Sequence, residues 1–222
     1  MALRYLLIPM LLVVTVSQLW FALPQDTRPQ LASEPAPVGD PTRGARIAIS
    51  CSACHGEAGV SSDAWIPSLA GMNQQAIYKQ LNDYRSHRRR PEWYMASVAQ
   101  ALSPQDSADV SAFYATQMSG LTTLAEKGDW PGSTASCGRC HNPQEKAPQI
   151  VGQQAEYLEI QMSLFAQGIR SNDSDEVMRK IARKLTSEEI HRITESLGSK
   201  PAEMDGAGGN SAHSSSERHP NE

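Results

Sequence analysis

The chain has 222 residues and a formal net charge of −4 at pH 7. Acidic side chains outnumber basic ones, 24 to 20, which argues against a nucleic-acid partner, because such binding draws on an excess of Lys and Arg. Four cysteines are too few to staple a disulfide scaffold of this length.

Residues 1–23 open with Arg4 and run from Tyr5 to Leu23 with almost no polar groups. They read as a signal peptide or an N-terminal membrane anchor. The apolar stretch (residues 5–23) is about as long as a bilayer crossing, roughly 20 residues. No small-x-small cleavage site follows, and Trp20 and Phe21 suit a membrane interface. On either reading the rest of the chain lies outside the cytoplasm, with Arg4 inside. Residues 24–40 are rich in Pro, carry Gln, Ser and Glu, and read as a flexible linker.

Residues 41–119 are expected to form a first domain. Thr42 to Ser50 is a short helix leading into Cys51-Ser52-Ala53-Cys54-His55. Pro67-Ser68-Leu69-Ala70-Gly71 turns the chain. Gln74 to Arg85 spaces Ala76, Ile77, Leu81 and Tyr84 at a helical period. A basic run follows, Arg85-Ser86-His87-Arg88-Arg89-Arg90, then a loop carrying Met95. Ser103 to Met118 begins with a Ser-Pro N-cap signal and Asp106 in the capping-box position. Residues 120–135, with Gly, Asp, Pro and Ser, read as an interdomain linker. A second domain over 136–198 repeats the pattern: Cys137-Gly138-Arg139-Cys140-His141, a loop with Pro148, helices over Glu156 to Gln167 and Thr186 to Leu197, and a capping box from Thr186 and Glu189. Residues 199–222 are polar and expected to be disordered; His213 and His219 are isolated there. Strand-like alternation is scarce, so the fold class is all-α.

All four cysteines sit in the two C-x-x-C-H runs, each the attachment signature of a c-type haem. Two thiols at this spacing can bond the two vinyl groups of one porphyrin. The following histidine, His55 or His141, then lies under the iron and supplies one axial nitrogen. Zinc is the first rival reading, but the two pairs are much further apart than a zinc ribbon needs. A thioredoxin-like pair would follow a strand, and neither pair does. A disulfide within C-x-x-C closes too small a loop to be a useful staple. Two covalent haem c groups are therefore expected.

The runs belong to an internal repeat. Pro67 to Gly71 matches Pro148-Gln149-Ile150-Val151-Gly152, and at the same offset Gln80-Leu81 matches Gln161-Met162, Tyr84 matches Phe165 and Arg89 matches Arg170. After a shift of two residues, Met95 matches Met178 and Leu102 matches Leu185. A copy of about 80 residues is small for a self-sufficient core, and a large apolar cofactor would supply what is missing.

Met95 and Met178 recur at the same place and are the candidate sixth ligands of the two irons. Met72 and Met162 compete; Met162 matches Leu81, a core-like position, and Met72 matches Gln153. The carbonyls of Pro67 and Pro148 are candidates to accept the Nδ1–H of the haem histidines and fix their tautomer; alternatively each proline only turns the chain. Arg89 and Arg170 are candidates to pair with haem propionates. The basic run around Arg89 could instead steer an acidic redox partner or form a solvated face.

Taken together, these residues resemble the class I cytochromes c, and their tandem arrangement resembles the dihaem cytochrome c4 family over about residues 40–198. The resemblance implies two tandem class I cytochrome c domains, each wrapped around one covalent haem and packed face to face about a pseudo-twofold axis. It implies an electron carrier with no catalytic residues on the periplasmic side. Its redox protein partners would be a donor dehydrogenase or quinol-oxidising complex and an acceptor oxidase. Two alternatives remain: a cytochrome subunit of a larger oxidoreductase complex, or a dihaem redox enzyme with one labile axial ligand.

Overall fold

A computed structural model of the protein describes residues 36–91, 93–118, 130, 134–142 and 147–198. The signal or anchor expected over 1–23, most of both linkers and the tail with His213 and His219 lie outside the described residues. Among the described residues there is no strand, and no helix is long and apolar enough to cross a membrane. They all fall within one compact unit.

The first copy is built from α1 (Pro41–Ala48), α2 (Ser52–His55), a 3-10 turn (Glu57–Gly59), α3 (Gln74–Arg85), α4 (Trp93–Ala101) and α5 (Pro104–Ala115). Each start has a chemical cause. Asp40 caps α1 by accepting from the Thr42 and Arg43 amides, Asn73 caps α3 through the Ala76 amide, and Ser103 with Asp106 forms the expected capping box on α5. Helix α1 lies against α5 at Gly44, where any side chain would collide with the Asp109 carbonyl. Asp109, 1% exposed, joins the same two helices: it accepts from Arg43 Nε at 2.7 Å and from the Asp40 amide at 2.7 Å. Ala48, Met72, Ala76, Ile77, Leu81, Tyr84, Ala99, Val110 and Tyr114 form the buried core.

The stretch over 24–40 was expected to be a flexible linker, but residues 36–40 are tied to the first copy. The Ala36 amide donates to Gln75, Gln105 donates to the Val38 carbonyl, and Gly39 lies too close to Ala108 for a side chain. Backbone groups at Ala36 and Val38 thus find side-chain partners on the domain surface, which a composition reading does not show.

The second copy comprises α6 (Gly138–His141), α7 (Ala155–Ala166), a 3-10 turn (Ser174–Glu176), α8 (Val177–Ala182) and α9 (Ser187–Leu197). Thr186 and Glu189 form the second capping box. Its buried apolar cluster among the described residues is small: Val151, Leu158 and Leu197, with Trp130, Ile150, Tyr157 and Ile193 packed against it. Trp130 and Thr134 fall within the expected interdomain linker over 120–135, yet both belong to this copy. A Cβ on Gly138 would strike the Trp130 indole at 2.6 Å, and buried Thr134 accepts from the Cys137 amide at 2.8 Å. The small residues around Trp130 hide a core contact.

The repeat extends to the backbone. Gly71 and Gly152, the last residues of the two Pro-x-x-x-Gly runs, have φ of 75° and 83°, a conformation glycine adopts without a steric cost. Their amides donate to the carbonyls of Tyr114 and Leu197, at the ends of α5 and α9. Each proline loop is thereby pinned to the last helix of its own copy.

Candidate metal centres

Each C-x-x-C-H run winds into a single helical turn. The His55 amide donates to the Cys51 carbonyl and the His141 amide to the Cys137 carbonyl, both at 3.0 Å. The turn brings the first cysteine, the second cysteine and the histidine onto one side at helical spacing. All four thiols are free; Cys54 and Cys140 are exposed, and Cys51 and Cys137 half-buried. Burial pushes the Cys51 and Cys137 thiols up. Among the described residues no group of three or more His, Cys, Asp or Glu side chains converges as a metal cluster, so the two cysteine pairs do not meet in a shared zinc-type site.

The histidines are held as a haem ligand needs to be. His55 Nδ1 lies 2.8 Å from the Pro67 carbonyl oxygen, and His141 Nδ1 lies 2.7 Å from that of Pro148. A carbonyl oxygen only accepts, so Nδ1 carries the proton and the neutral ring presents the Nε2 lone pair. Burial pulls both imidazoles below their ordinary pKa, against the opposing pull of the proline carbonyls; the Arg170 charge lowers His141 further. Both rings are therefore neutral at neutral pH, the form that binds a metal. The cysteine pairs outside any disulfide, the histidines protonated at Nδ1 and the thin second core all fit haem c.

Met95 and Met178 were expected in loops. Instead Met95 lies in the first turn of α4 and Met178 in the first turn of α8, both half-buried. Helix α4 has little amphipathic contrast, and α8 has only six residues, so neither shows a helical period in sequence. Met72 is buried among the core residues of the first copy, and Met162 is half-buried on α7.

Three arginines of the basic run have partners within the fold. Arg85 donates to the Ala99 and Leu102 carbonyls and to Ser107, and Arg88 pairs with Asp83 at 3.0 Å. Arg89 is buried, stacks over Tyr84, and donates to Gln80, Tyr157 and Gln161. Arg170 mirrors it: buried, stacked over Phe165, and donating to Gln161 and Gln80. Arg89 and Arg170 each bind both glutamines, one in their own copy and one in the other. Of the run, Arg89 alone is buried; Arg85 and Arg88 are half-buried, and Ser86, His87 and Arg90 are exposed.

The two copies brace each other's proline loops. Gln153, 1% exposed, accepts from the Ser68 amide at 2.8 Å and donates to the Ser68 carbonyl at 3.0 Å. Gln154 donates to the Ser61 carbonyl at 2.9 Å. In return the Asn73 amide donates to Gln149 and the Asn73 side chain to the Ala147 carbonyl, both at 2.9 Å. Ser68 follows Pro67, and Ala147 and Gln149 flank Pro148. Sequence reading missed these residues; the one available signal was that Ser68 and Gln149 occupy matching places in the repeat.

Residues 41–117 match the family model described as cytochrome c. The chain is 33% identical over 179 residues to the cytochrome c4 of Thiocapsa roseopersicina, covering 72% of this chain and 92% of that protein. It is 31% identical to the thiosulfate dehydrogenase electron acceptor of Stutzerimonas stutzeri, covering 67% of this chain and 77% of that one. The crystal structure of reduced recombinant cytochrome c4 from Pseudomonas stutzeri superposes with a TM-score of 0.61 at 29% identity, covering 72% of this chain and 98% of that chain.

Proposed function

The chain belongs to the cytochrome c4 family of dihaem electron-transfer proteins, and from that premise we propose that it carries electrons on the periplasmic side, between a donor dehydrogenase or quinol-oxidising complex and a terminal oxidase. Covalently bound haem c supplies the one-electron redox couple at each centre. Cys51 and Cys54 tether the first haem, and Cys137 and Cys140 the second. His55 with Met95, and His141 with Met178, would hold the two irons. With protein ligands from both a histidine and a methionine, each iron would have no position for substrate, which would suit a carrier rather than an oxygen- or peroxide-activating enzyme.

The observation that carries this reading is the repeated bond from histidine Nδ1 to a proline carbonyl, at 2.8 and 2.7 Å. It sets both rings in the tautomer that can ligate a metal through Nε2. The remaining residues hold geometry: Gly71 and Gly152 fix the proline loops, and the reciprocal glutamine and asparagine bonds keep the copies in register.

The test is optical. Pyridine haemochrome quantitation should give two c-type haems per chain. The oxidised protein should show the weak far-red band of methionine sulfur on ferric iron, and the reduced protein should not take up carbon monoxide. Rapid uptake at one haem would refute the closed-carrier reading and favour a redox enzyme with a labile ligand.

A second reading is favoured by the likeness to a thiosulfate dehydrogenase electron acceptor: the protein serves one dehydrogenase, as its dedicated acceptor or as a subunit. Purification in mild detergent separates the two. A carrier travels alone, and a subunit brings its dehydrogenase with it.

A further inference from the structure

The two methionines reach their places by different routes. The second copy has two more residues between its repeated arginine and its methionine (Arg170 to Met178) than the first has (Arg89 to Met95). The longer arm contains Asp175 and Glu176, with φ of 54° and 58°, a conformation that residues with a Cβ seldom occupy unless neighbours impose it. Two side chains bracket the segment. Asp173 Oδ2 accepts from the Arg179 amide at 3.0 Å and Oδ1 from Arg179 Nε at 2.8 Å, and both residues are buried. That pair closes the chain around Met178.

Asn172 then ties the closed arm to the first copy. Its Nδ2 donates to Asp83 Oδ2 at 2.7 Å and to Gln80 Oε1 at 3.0 Å. Its carbonyl accepts from Lys79 Nζ at 2.6 Å, and its Oδ1 accepts from Arg170 Nε at 3.0 Å. Lys79, Gln80 and Asp83 lie on helix α3 of the first copy. At the repeat offset, the first copy has Pro91 where the second has Asn172, and a proline offers neither an N–H nor a polar side chain.

We propose that Asn172 and Asp173 are positioning residues for the second iron centre: helix α3 of the first copy, acting through them, sets where Met178 stands. The second methionine ligand is conditional on the first copy, whereas Met95 is held without this arm. This rests on Met178 being the axial ligand of the second haem.

The test uses the full-length holoprotein and the variants N172A, D173A and K79A, each checked for helix content and for two haems per chain. The readouts are the far-red methionine band of the oxidised protein and carbon monoxide uptake per reduced chain. N172A and D173A should each lose half of the band and take up one carbon monoxide, where the parent takes up none. K79A should move both readouts in the same direction, although Lys79 belongs to the other copy; a purely local role would leave them unmoved. In an M95A background the first haem is already open, so adding N172A should raise uptake from one to two. M178A is the control. If M178A opens no haem, the axial-ligand reading fails, and this proposal with it. If M178A opens one haem while N172A and D173A keep the full band and take up nothing, the proposal alone is overturned. Opening of both haems by N172A would overturn it as well. Should D173A fail to fold, N172A and K79A decide.

Discussion

Replacing Asp109 with Asn tests how helix α1 is held against α5. The Asp109 carboxylate is 1% exposed, and the Arg43 guanidinium beside it lowers its pKa from 3.8 to about 2. One pKa unit is worth about 1.36 kcal/mol, so this displacement bounds the charge contribution at about 2.5 kcal/mol. The Arg43 side chain is 49% exposed, and solvent screening reduces the working figure to about 1–1.5 kcal/mol. Because the folded pKa is depressed, the stabilisation is complete above the unfolded value of 3.8 and is lost as pH falls through about 2. Urea unfolding of parent and D109N, followed by helix signal from neutral pH down to about 2, reads the difference directly. The gap should be about 1–1.5 kcal/mol near neutrality, shrink once the unfolded-state carboxyl protonates, and close at the acid end. A gap that stays constant across that range would refute the electrostatic account and assign the effect to packing.

Gly44→Ala should destabilise the protein by about 1–3 kcal/mol, since its Cβ would meet the Asp109 carbonyl and force α1 off α5; thermal unfolding measures the loss. Gln153→Ala strips the Ser68 amide and carbonyl of a buried partner across the copies and should cost about 1–3 kcal/mol by chemical denaturation. His191, exposed and paired with Glu159 at 2.9 Å, has its pKa raised by that carboxylate. The pair's stabilisation is present below the ordinary histidine value and lost as pH rises through the raised one. H191Q should therefore abolish a small decline in melting temperature across that window, and an unchanged pH profile would count against the pairing.

The parts of the fold governed by near neighbours were legible in the sequence. Helix α3 has its expected ends because Asn73 caps it and its apolar spacing is regular; α5 and α9 begin where Ser103 with Asp106, and Thr186 with Glu189, close their capping boxes. His55 with Pro67 and His141 with Pro148 were legible because the repeat states the pairing twice. What stayed hidden depends on partners far along the chain. Arg89 looks like one of several surface cations until Tyr157 and Gln161 fold onto it. Gln153 and Gln154 look like ordinary polar residues at a helix start until Ser68 and Ser61 arrive. The segments bearing Met95 and Met178 looked like loops because tertiary contacts, more than amphipathic period, make them helical. Trp130 sits in a stretch whose composition signals a joint, yet it packs, half-buried, against the second core.

The reciprocal bracing of the proline loops bears on how far a duplicated protein remains modular. A first copy cut free of the second would present the Ser68 amide and carbonyl to water, directly beside the carbonyl that orients His55. A second copy cut free would lose the Asn73 contacts at Ala147 and Gln149, on either side of the carbonyl that orients His141. Neither half could be exchanged for an unrelated single-haem domain without disturbing the ligand geometry of the half that stays. Substitutions at Ser68, Asn73, Gln149 and Gln153 are therefore constrained in pairs across the duplication, and the two copies must diverge together.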